Sequence, residues 1–502
     1  MNHFVFLKRR PFDSVCFVLL LWVVMTFSGQ RDSFGSETDS TGAIEPATSV
    51  EVYGQGVRES QWQTPQQELE GFHLAPGFEA RLFASEPLIA KPMNLAFDSR
   101  GRLWVTQTIE YPYPAKEGSV PRDAVMILED TDGDGRADKS IQFADGLNIP
   151  IGLLPYGDGC LCFSIPNLLY LRDTNGDGTC DQREVILGPF DTTRDTHGMV
   201  NALRDGGDGW IYACHGFNNQ SQLAGRDGHQ VTMHSGNTFR FRPDGSRVEH
   251  VTHGQVNPFG MTQDEWGYRY TADCHSKPIT QLVMGAFYPS FGRPHDGLGF
   301  LPPMLDHLHG STAICGLVSY PSNSAILPLR QQMLSGNVMT SRINRNRVTY
   351  QGATAKGIEM ADFMTSDDPW FRPVDLQRGP DESLYVADFY NKIIGHYEVP
   401  LTHPDRDRDS GRIWQIRYLG PNDTNSKTGR ADPIEAIRAM RGKFQRGEVS
   451  TSHLVDLIQG DSDRLSVAAI ELAKERIAAG KDQETQLTNE ARQALNHRNA
   501  HV

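Results

Sequence analysis

The sequence lacks any Cys-x-x-Cys pair, although it contains seven cysteines in 502 residues. That pair carries covalently bound c-type haem and recurs in zinc ribbons, so neither is expected here. Basic residues are also scarce, because 48 Lys and Arg stand against 62 Asp and Glu and give a formal net charge of −14. Nucleic-acid phosphates are bound by clustered Lys and Arg. The composition therefore excludes nucleic acid as an expected partner.

Long apolar runs are missing as well. The uncharged run at residues 15–27 is shorter than the roughly 20 residues that a spanning helix needs. It follows a basic Lys8-Arg9-Arg10 segment and precedes small residues, an order typical of a secretory signal. We expect residues 1–29 to direct export to the periplasm or cell surface, with an uncleaved membrane anchor as the alternative. Cys160 and Cys162 alternate within an apolar segment, which predicts buried free thiols.

Glycine, by contrast, is abundant: 48 of the 502 residues are glycine, which is close to one in ten and above the roughly 7% that is usual in globular proteins. A turn followed by an aromatic or aliphatic strand recurs about every 56 residues. The repeat copies are marked by Gly101, Gly159, Gly209, Gly267, Gly336 and Glu382. Such a period accommodates a four-stranded blade, so the sequence predicts an all-β, six-bladed β-propeller at residues 71–420. The alternative is a β-sandwich with unrelated hairpins.

Both ends of the predicted propeller are recognisable from composition and pattern. Alternating strands at 78–84 and 412–418 are expected to pair and close the ring, which removes sheet edges. Residues 30–70 are polar and aperiodic and are interpreted as a flexible leader. Residues 430–480 predict a short α-helical, HEAT-like appendage, in which one helix spans about 452–459. A polar tail at 481–502 follows.

Two acidic loops have the spacing of calcium-binding loops. Their candidate ligands are Asp130, Asp132, Asp134 and Asp138 in the first loop, and Asp173, Asn175, Asp177, Asp181 and Glu184 in the second. Oxygen ligands at positions 1, 3, 5 and 9, with glycine at 6, let the chain wrap one hard cation. Only the second loop has an acid at position 12, since the first has Ile141 there. Apolar strands flank both loops, which favours calcium-binding hairpins with a structural role over EF-hands. Solvated Asp-Gly turns without metal are the alternative.

Histidines recur next to the predicted inner strands of several blades. They are His197, His215, His253, His275, His307 and His309. Residues at these places in a propeller converge on the central channel, where imidazoles suit a general base or a metal ligand. The pattern predicts a shared polar site, although any single histidine could instead cap a turn by hydrogen bonding.

From about Phe72 to Tyr418 the chain resembles the membrane-bound dehydrogenase-like family of planctomycetes and verrucomicrobia. The resemblance is carried by Pro76–Ala80, Phe97–Val105, Thr196–Asn201, Ser235–Gly245, Tyr288–Gly297, Asp368–Asp375 and Ala387–Tyr397. That family is in turn similar to soluble quinoprotein glucose and sorbosone dehydrogenases, which are six-bladed propellers.

The resemblance implies oxidation of a sugar or related alcohol with pyrroloquinoline quinone, and calcium polarising the quinone. His197 matches the histidine that takes the substrate hydroxyl proton. Asn257 lies in a counterpart of the family's Arg-Asn-Pro-x-Gly cofactor motif, with Val256 in place of the arginine. His275 and Arg342 are further cofactor-binding candidates on the channel face, and Arg342 is chosen because it follows the predicted inner strand of the fifth blade. Since the chain has no haem motif, electrons would pass to a separate acceptor such as a cytochrome c.

The sequence thus predicts an exported, calcium-stabilised propeller of the quinoprotein dehydrogenase type. A non-catalytic propeller that binds glycans or a protein partner is the alternative. A calcium-dependent hydrolase or lactonase has less support, because no nucleophile motif is evident.

Overall fold

A computed structural model describes residues 57, 59–290, 303–393, 399, 403–420, 440, 443, 448–458, 469, 472 and 473. All of the described residues belong to one compact unit. The predicted signal at 1–29, the leader up to residue 56 and the tail at 481–502 lie outside the described residues. None of the helices in the described part of the chain is long and apolar enough to cross a membrane.

The described residues form seven antiparallel sheets, of which six are the blades of a six-bladed β-propeller and the seventh is a two-stranded hairpin. Blade 1 contains β3 (Pro92–Phe97), β4 (Leu103–Gln107), β5 (Asp123–Glu129) and β6 (Lys139–Leu147), and blade 2 contains β7 (Ile151–Tyr156), β8 (Gly159–Ser164), β9 (Asn167–Arg172) and β10 (Gln182–Leu187). Blade 3 contains β11 (Asn201–Asp205), β12 (Ile211–Cys214), β15 (Thr238–Phe241) and β16 (Val248–Thr252), with an inserted hairpin of β13 (Ser221–Ala224) and β14 (Gln230–Met233). Blade 4 contains β17 (Pro258–Gln263), β18 (Arg269–Asp273) and β19 (Ile279–Leu282).

The last two blades incorporate strands from the beginning of the domain. Blade 5 contains β20 (Ile314–Tyr320), β21 (Gln332–Asn337), β22 (Arg342–Gln351), β23 (Thr354–Glu359), β24 (Met364–Ser366) and β1 (Phe72–Leu74), with a 3-10 turn at Leu327–Leu329. Blade 6 contains β25 (Pro373–Arg378), β26 (Leu384–Asp388), β27 (Arg412–Tyr418) and β2 (Phe78–Ser85). The innermost strands β3, β7, β11, β17, β20 and β25 contact one another in that order, and β25 returns to β3. The predicted fold class is therefore confirmed.

The predicted closure of the ring is also confirmed. β2 pairs antiparallel with β27 from Phe78 opposite Tyr418 to Ser85 opposite Arg412. The two strands contribute buried apolar side chains to the core, with Trp414 and Ile413 fully buried. The outer strand of blade 6 therefore comes from the other end of the domain, and it pairs with the outer edge of β27.

Five of the six repeat copies mark the turn between the first and second strands of a blade, and the copy at Gly336 is wrong. Gly336 lies inside β21, opposite Cys315 of β20. A Cβ on Gly336 would lie 2.0 Å from the carbonyl oxygen of Pro373. Close approach of the next blade, and not a turn, requires glycine at this position.

The inner strands touch one another at a β-bulge near the start of each strand. Successive blades place Asn94, Gly152, Asn201, Gly260, Gly316 and Asp375 at these points. Asn94 and Asn201 accept backbone hydrogen bonds from Gly152 (2.8 Å) and Gly260 (3.4 Å) of the next blade. Asp375 accepts one from Leu95 of blade 1 (2.9 Å). Small and polar residues thus join the blades around the channel.

The segment before β1 is more ordered than the predicted leader. Pro65–Glu70 form helix α1, in which Thr64 and Gln67 make a reciprocal capping box. Glu68 is fully buried and pairs with the guanidinium of Arg412 on β27. The polar composition of residues 30–70 predicted a flexible leader. Within that range, however, residues 65–70 form a helix and contain one member of a buried ion pair.

The predicted helical appendage lies partly within the described residues. Helix α2 spans Thr451–Ile458, in agreement with the helix predicted at about 452–459. Its Leu454 packs in an apolar cluster with Leu457 of the same helix and with residues before and after the helix, namely Met440, Val449, Ala469, Leu472 and Ala473. Most of the remaining predicted appendage lies outside the described residues.

Gly316 offers a direct test of the contact between inner strands. It has φ +60°, and an added Cβ would lie 2.9 Å from Asp375 Cα, whereas Gly352 has φ +62° and open space around it. Both Ala variants carry the left-handed backbone cost of about 1–2 kcal/mol, but only Gly316→Ala adds overpacking of about 1–3 kcal/mol. Urea unfolding should therefore show a clearly larger stability loss for Gly316→Ala. Equal losses in the two variants would contradict close contact in the ring.

Candidate functional site

The histidine-bearing loops lie at the end of the ring where the inner strands begin, which we call the upper mouth. Because strands within a blade alternate in direction, the connections between blades and the turns between second and third strands share this end. The connections include residues 188–200, 253–257 and 303–313, and the turns include 108–122, 215–237 and 274–278. Turns between first and second strands lie at the opposite end, the lower mouth.

His197 forms a close pair with Asp195 in the connection between blades 2 and 3. His197 Nδ1 lies 2.5 Å from Asp195 Oδ1, and its side chain is 12% exposed. Burial opposes ionisation of Asp195, but bonds from His197 and the amide of Gly198 outweigh it and lower the pKa of this carboxyl group. An ionised partner at Nδ1 holds the imidazole in the tautomer whose Nε2 can accept a proton. The pair therefore has the arrangement of a general base.

Asn219 and two backbone contacts fix this loop against blade 3. The Asn219 side chain accepts from the amide of Asp195 (3.2 Å) and donates to its carbonyl (2.7 Å). The amide of Phe217 donates to the carbonyl of Gly198 (2.6 Å). Gly216 has φ +92°, and a Cβ there would lie 1.9 Å from that same carbonyl oxygen. Glycine is thus required for the two loops to touch.

The structure brings His275 to the same aromatic ring as His197. The ring centroid of Phe217 lies 5.5 Å from that of His197 and 5.9 Å from that of His275. His275 Nδ1 is within hydrogen-bond distance of Thr312 Oγ1 (3.1 Å). Burial and the nearby His197 lower the pKa of His275, while the charge of Asp273 opposes the shift.

Asn257 joins this group through the buried carboxylate of Asp273. That carboxylate accepts from the amides of Val256 (2.9 Å), Asn257 (3.1 Å) and His275 (3.0 Å). Asn257 is 4% exposed, and its Oδ1 has no hydrogen-bond partner among the described residues. A Cβ on Gly198 would lie 3.0 Å from this oxygen. A buried acceptor without a partner is costly unless a ligand satisfies it.

Apolar and aromatic residues lie beneath this group. Tyr111 packs against Phe389 (5.5 Å between ring centroids) and against a core cluster that contains Phe259. Burial and the charge of Asp195 raise the pKa of Tyr111 far above its usual value. Arg408 Nη1 donates to the carbonyl of Tyr111 (3.3 Å) and so brings positive charge to this side of the mouth.

Among the described residues, no hydrogen bond or ion pair links Arg342 to His197, Asn257 or His275. The inner strand of blade 5 is β20, so Arg342, the first residue of β22, begins the third strand and the reason for choosing it is wrong. Its guanidinium pairs with Asp362 (2.9 Å), which also accepts from Asn344 (2.7 Å). These contacts hold the side chain of Arg342 within blade 5.

The remaining histidines are distributed over other parts of the molecule. His215 is buried, its Nε2 lies 2.8 Å from Ser221 Oγ, and burial lowers its pKa to about 4. His253 stacks on Phe287 with 4.4 Å between ring centroids. His307 and His309 contact each other beside blade 5. The predicted shared site therefore includes His197 and His275, while the other four histidines have separate surroundings.

The two acidic loops connect third and fourth strands, so they lie at the lower mouth, away from His197. In each loop the first aspartate accepts from two glycine amides: Asp130 from Gly133 (2.7 Å) and Gly135 (3.1 Å), and Asp173 from Gly176 (2.7 Å) and Gly178 (2.8 Å). The carboxylates of Asp130, Asp132 and Asp134 could offer oxygen atoms within 4.8 Å of one another.

The ninth and twelfth positions of the loops have other partners. Asp138 and Asp181 accept from Thr131 (3.0 Å) and Thr174 (3.0 Å) within their own loops. Glu184 lies on β10 and pairs with Arg226 of blade 3 (2.5 Å), so it would have to leave that partner to bind a cation. Asn175 and Asp177 bond within the second loop (2.9 Å).

Sequence reasoning missed three residues that shape the upper mouth. Asp195 stands two residues before His197, and this Asp-x-His spacing is the available signal, because a carboxylate there can cap the following turn. Phe217 and Asn219 carry no such pattern, since their roles depend on contacts between two loops. The buried thiols predicted at Cys160 and Cys162 are confirmed, as both are fully buried and free.

Several solved structures are similar to this chain. The PQQ domain of pyranose dehydrogenase from Coprinopsis cinerea, in its holo form, is 13% identical with a TM-score of 0.46, and the match covers 72% of this chain and 99% of that one. The soluble aldose sugar dehydrogenase of Escherichia coli, in its apo form, is 15% identical with a TM-score of 0.40, covering 68% and 99%. A search of the curated proteins found no match.

A protein-family model also matches most of the propeller. It covers residues 64–420, from the start of helix α1 to the end of the closing strand β27. The match therefore spans more than half of the chain and contains both His197 and Asp195. The chain belongs to the family described as domain of unknown function DUF7133.

Proposed function

We propose that this protein is a dehydrogenase that oxidises a sugar or related alcohol at the upper mouth of the propeller. The observation that carries the proposal is the His197–Asp195 pair, whose 2.5 Å contact joins an accessible imidazole to a buried carboxyl group. Alcohol oxidation requires a base for the hydroxyl proton, and a positioned base contributes about 10²–10⁴-fold in rate. His197 takes this proton, and Asp195 stabilises the imidazolium that forms.

Other residues at the mouth suit substrate and cofactor binding. Asn257 Oδ1 is a buried oxygen that can accept from a hydroxyl group or coordinate a hard cation. Arg406 and Arg408 lie near Tyr111 and supply positive charge for an anionic ligand. Val256 is buried and apolar and cannot supply the ionic contact that an arginine would make.

This donor set fits pyrroloquinoline quinone with calcium, which would supply the electron-accepting chemistry when bound. Arg406 and Arg408 would face its carboxylates, and Asn257 would meet the cation or the substrate. Because the sequence contains no haem motif, the reaction would require a separate electron acceptor such as a cytochrome c. We also propose that the protein works outside the cytoplasm, in the periplasm or at the cell surface.

Variants of the pair test the proposal. Purified protein supplied with calcium and pyrroloquinoline quinone should reduce an artificial dye when a panel of sugars and alcohols is added. His197→Ala should lower kcat by about 10²–10⁴-fold, and Asp195→Asn should also lower it because it no longer holds the tautomer. His73→Ala removes an exposed imidazole that pairs with Asp367 (3.0 Å) on blade 5, and it should leave the rate unchanged.

Wild-type protein that neither binds the quinone nor reduces the dye would overturn the dehydrogenase proposal. The second candidate, a propeller that binds glycans or a protein partner, would then be favoured. If His197→Ala bound the quinone and kept full activity, the dehydrogenase reaction would be supported, but His197 would not be its base.

We further propose that calcium stabilises the two lower loops. Each loop bonds to a neighbouring sheet, since Ala137 donates to Phe83 (2.8 Å) and Cys180 to Phe143 (2.7 Å). Calcium should therefore raise the thermal midpoint of the wild-type protein, and Asp177→Ala should remove the contribution of the second loop. Asp145→Ala is the matched control. Asp145 is an exposed acid outside both loops, and it pairs with Arg183 (3.2 Å). No calcium-dependent shift in the wild type would contradict binding in either loop.

A further inference from the structure

A second cluster of metal-binding side chains lies beside blade 5. Its imidazoles belong to the segment that connects blades 4 and 5, where Met304 and Leu305 pack into the core next to blade 5. The amide of Gly357 donates to the carbonyl of Met304 (2.9 Å), which aligns the segment with β23. The chain then places His307 and His309 against the β22–β23 hairpin.

The hairpin supplies two further polar side chains to the same place. Asn346 on β22 is directly opposite Glu359 on β23, so their side chains are neighbours on one face of the sheet. Asn346 is fully buried, and the side chain of His309 is 1% exposed. His307 is half-buried and Glu359 is exposed. The cluster therefore has a buried floor and an open side through which an ion can enter.

The spacing of the two imidazole nitrogens matches that of two ligands around a tetrahedral transition metal. His307 Nε2 and His309 Nε2 lie 3.3 Å apart. Asn346 places its amide Oδ1 3.0 Å from His307 Nε2 and its Nδ2 2.9 Å from His309 Nε2. Two ligand atoms that are each about 2.0–2.1 Å from a tetrahedral ion stand about 3.3–3.4 Å apart. The two imidazole nitrogens thus have the spacing of two ligands of one ion, and Asn346 holds its amide group next to both of them.

Glu359 occupies the position of an orienting carboxylate. Its Oε1 lies 3.2 Å from His309 Nδ1, the ring nitrogen opposite the one that faces His307. Metal-binding histidines usually donate their other N–H to a carboxylate or carbonyl, which fixes the tautomer of the ligand. Glu359 can also supply an oxygen ligand, since His307, His309 and Glu359 offer ligand atoms within 4.8 Å of one another.

The backbone at His309 is an independent observation. His309 has φ +51°, in the left-handed region that non-glycine residues rarely adopt. Such conformations cost about 1–3 kcal/mol and persist at ligand-binding sites when the surroundings hold them. Here the conformation accompanies the burial of the imidazole next to Asn346.

We propose that His307, His309 and Asn346, with Glu359 behind or beside them, bind one divalent transition metal of the zinc type. Two imidazoles with an amide or carboxylate oxygen favour zinc over calcium or magnesium, which prefer oxygen ligands alone. The ion would tie the connection between blades 4 and 5 to the third strand of blade 5. Water would complete its coordination on the open side.

A metal-free hydrogen-bond network is the competing explanation. His307 Nε2–H would donate to Asn346 Oδ1, Asn346 Nδ2–H to His309 Nε2, and His309 Nδ1–H to Glu359. The two explanations differ for Asn346→Asp. A carboxylate is a better metal ligand than an amide, so a metal site keeps or gains affinity. The network instead loses the donor to His309 and becomes less stable.

The test uses the full chain after treatment with a chelator, with zinc as the probe in an excess of calcium. We expect one zinc per chain by elemental analysis and calorimetry, a zinc-dependent rise in the thermal midpoint, and visible absorption of a tetrahedral site with Co²⁺. His307→Ala, at the half-buried ligand, should weaken zinc binding at least 10-fold. Asn346→Asp should bind zinc at least as tightly as the wild type.

His250→Ala is the matched control, because His250 and His253 form another imidazole pair with 4.5 Å between ring centroids. It should leave zinc affinity unchanged. Absence of stoichiometric zinc in the wild type, or equal affinity in folded His307→Ala, would overturn the proposal. Loss of zinc binding in a folded Asn346→Asp protein would also count against it and favour the hydrogen-bond network.

Discussion

The pairing of β2 with β27 is the interaction on which the rest of the structure depends. It joins Phe78 to Tyr418 across most of the domain. Closing a loop of that length costs on the order of 5 kcal/mol in chain entropy. Burying large apolar side chains such as Trp414 and Ile413 contributes about 1.5–3 kcal/mol each and offsets this cost. The neighbouring Arg412–Glu68 ion pair is fully buried, and breaking such a pair costs about 3–5 kcal/mol. Helix α1 therefore belongs to the closure of the ring.

A closed ring decides where chemistry can occur. Once the inner strands lie side by side, the strands of each blade alternate in direction. The connections between blades therefore lie at one mouth and the acidic loops at the other. His197, Asn257 and His275 come from different blades, yet each is held by a buried carboxylate at the same end, either Asp195 or Asp273. Because the acidic loops lie at the other mouth, the role we propose for calcium in them is structural and not catalytic. Any cation that takes part in oxidation would instead be bound at the upper mouth, where Asn257 offers an oxygen.

The sequence predicted the fold well because blade turns and strand alternation are local signals. Turn residues near Gly101 and Gly267 mark the blades, and the alternation in 78–84 and 412–418 identified the closing pair. Gly336 misled because close approach between blades also requires glycine, and that contact is long-range. Polar composition hid helix α1, whose Glu68 is buried only because Arg412 lies opposite. The location of His197 and His275 at the same mouth was anticipated from their places beside inner strands, but the roles of Phe217 and Asn219 depend on loop contacts that no spacing reveals. Arg342 was chosen for the wrong reason, because the inner strand of blade 5 was misplaced by one strand.

The central claim is that the upper mouth, built around His197 and Asp195, is the working face of the propeller. Hydrogen–deuterium exchange of the full chain, with and without pyrroloquinoline quinone at constant calcium, measures this most directly. The account predicts slower exchange in peptides that contain residues 194–199, 255–259 and 272–276, with no change in the lower turns at 98–102 and 379–383. Protection confined to those lower turns, or none at saturating quinone, would contradict it.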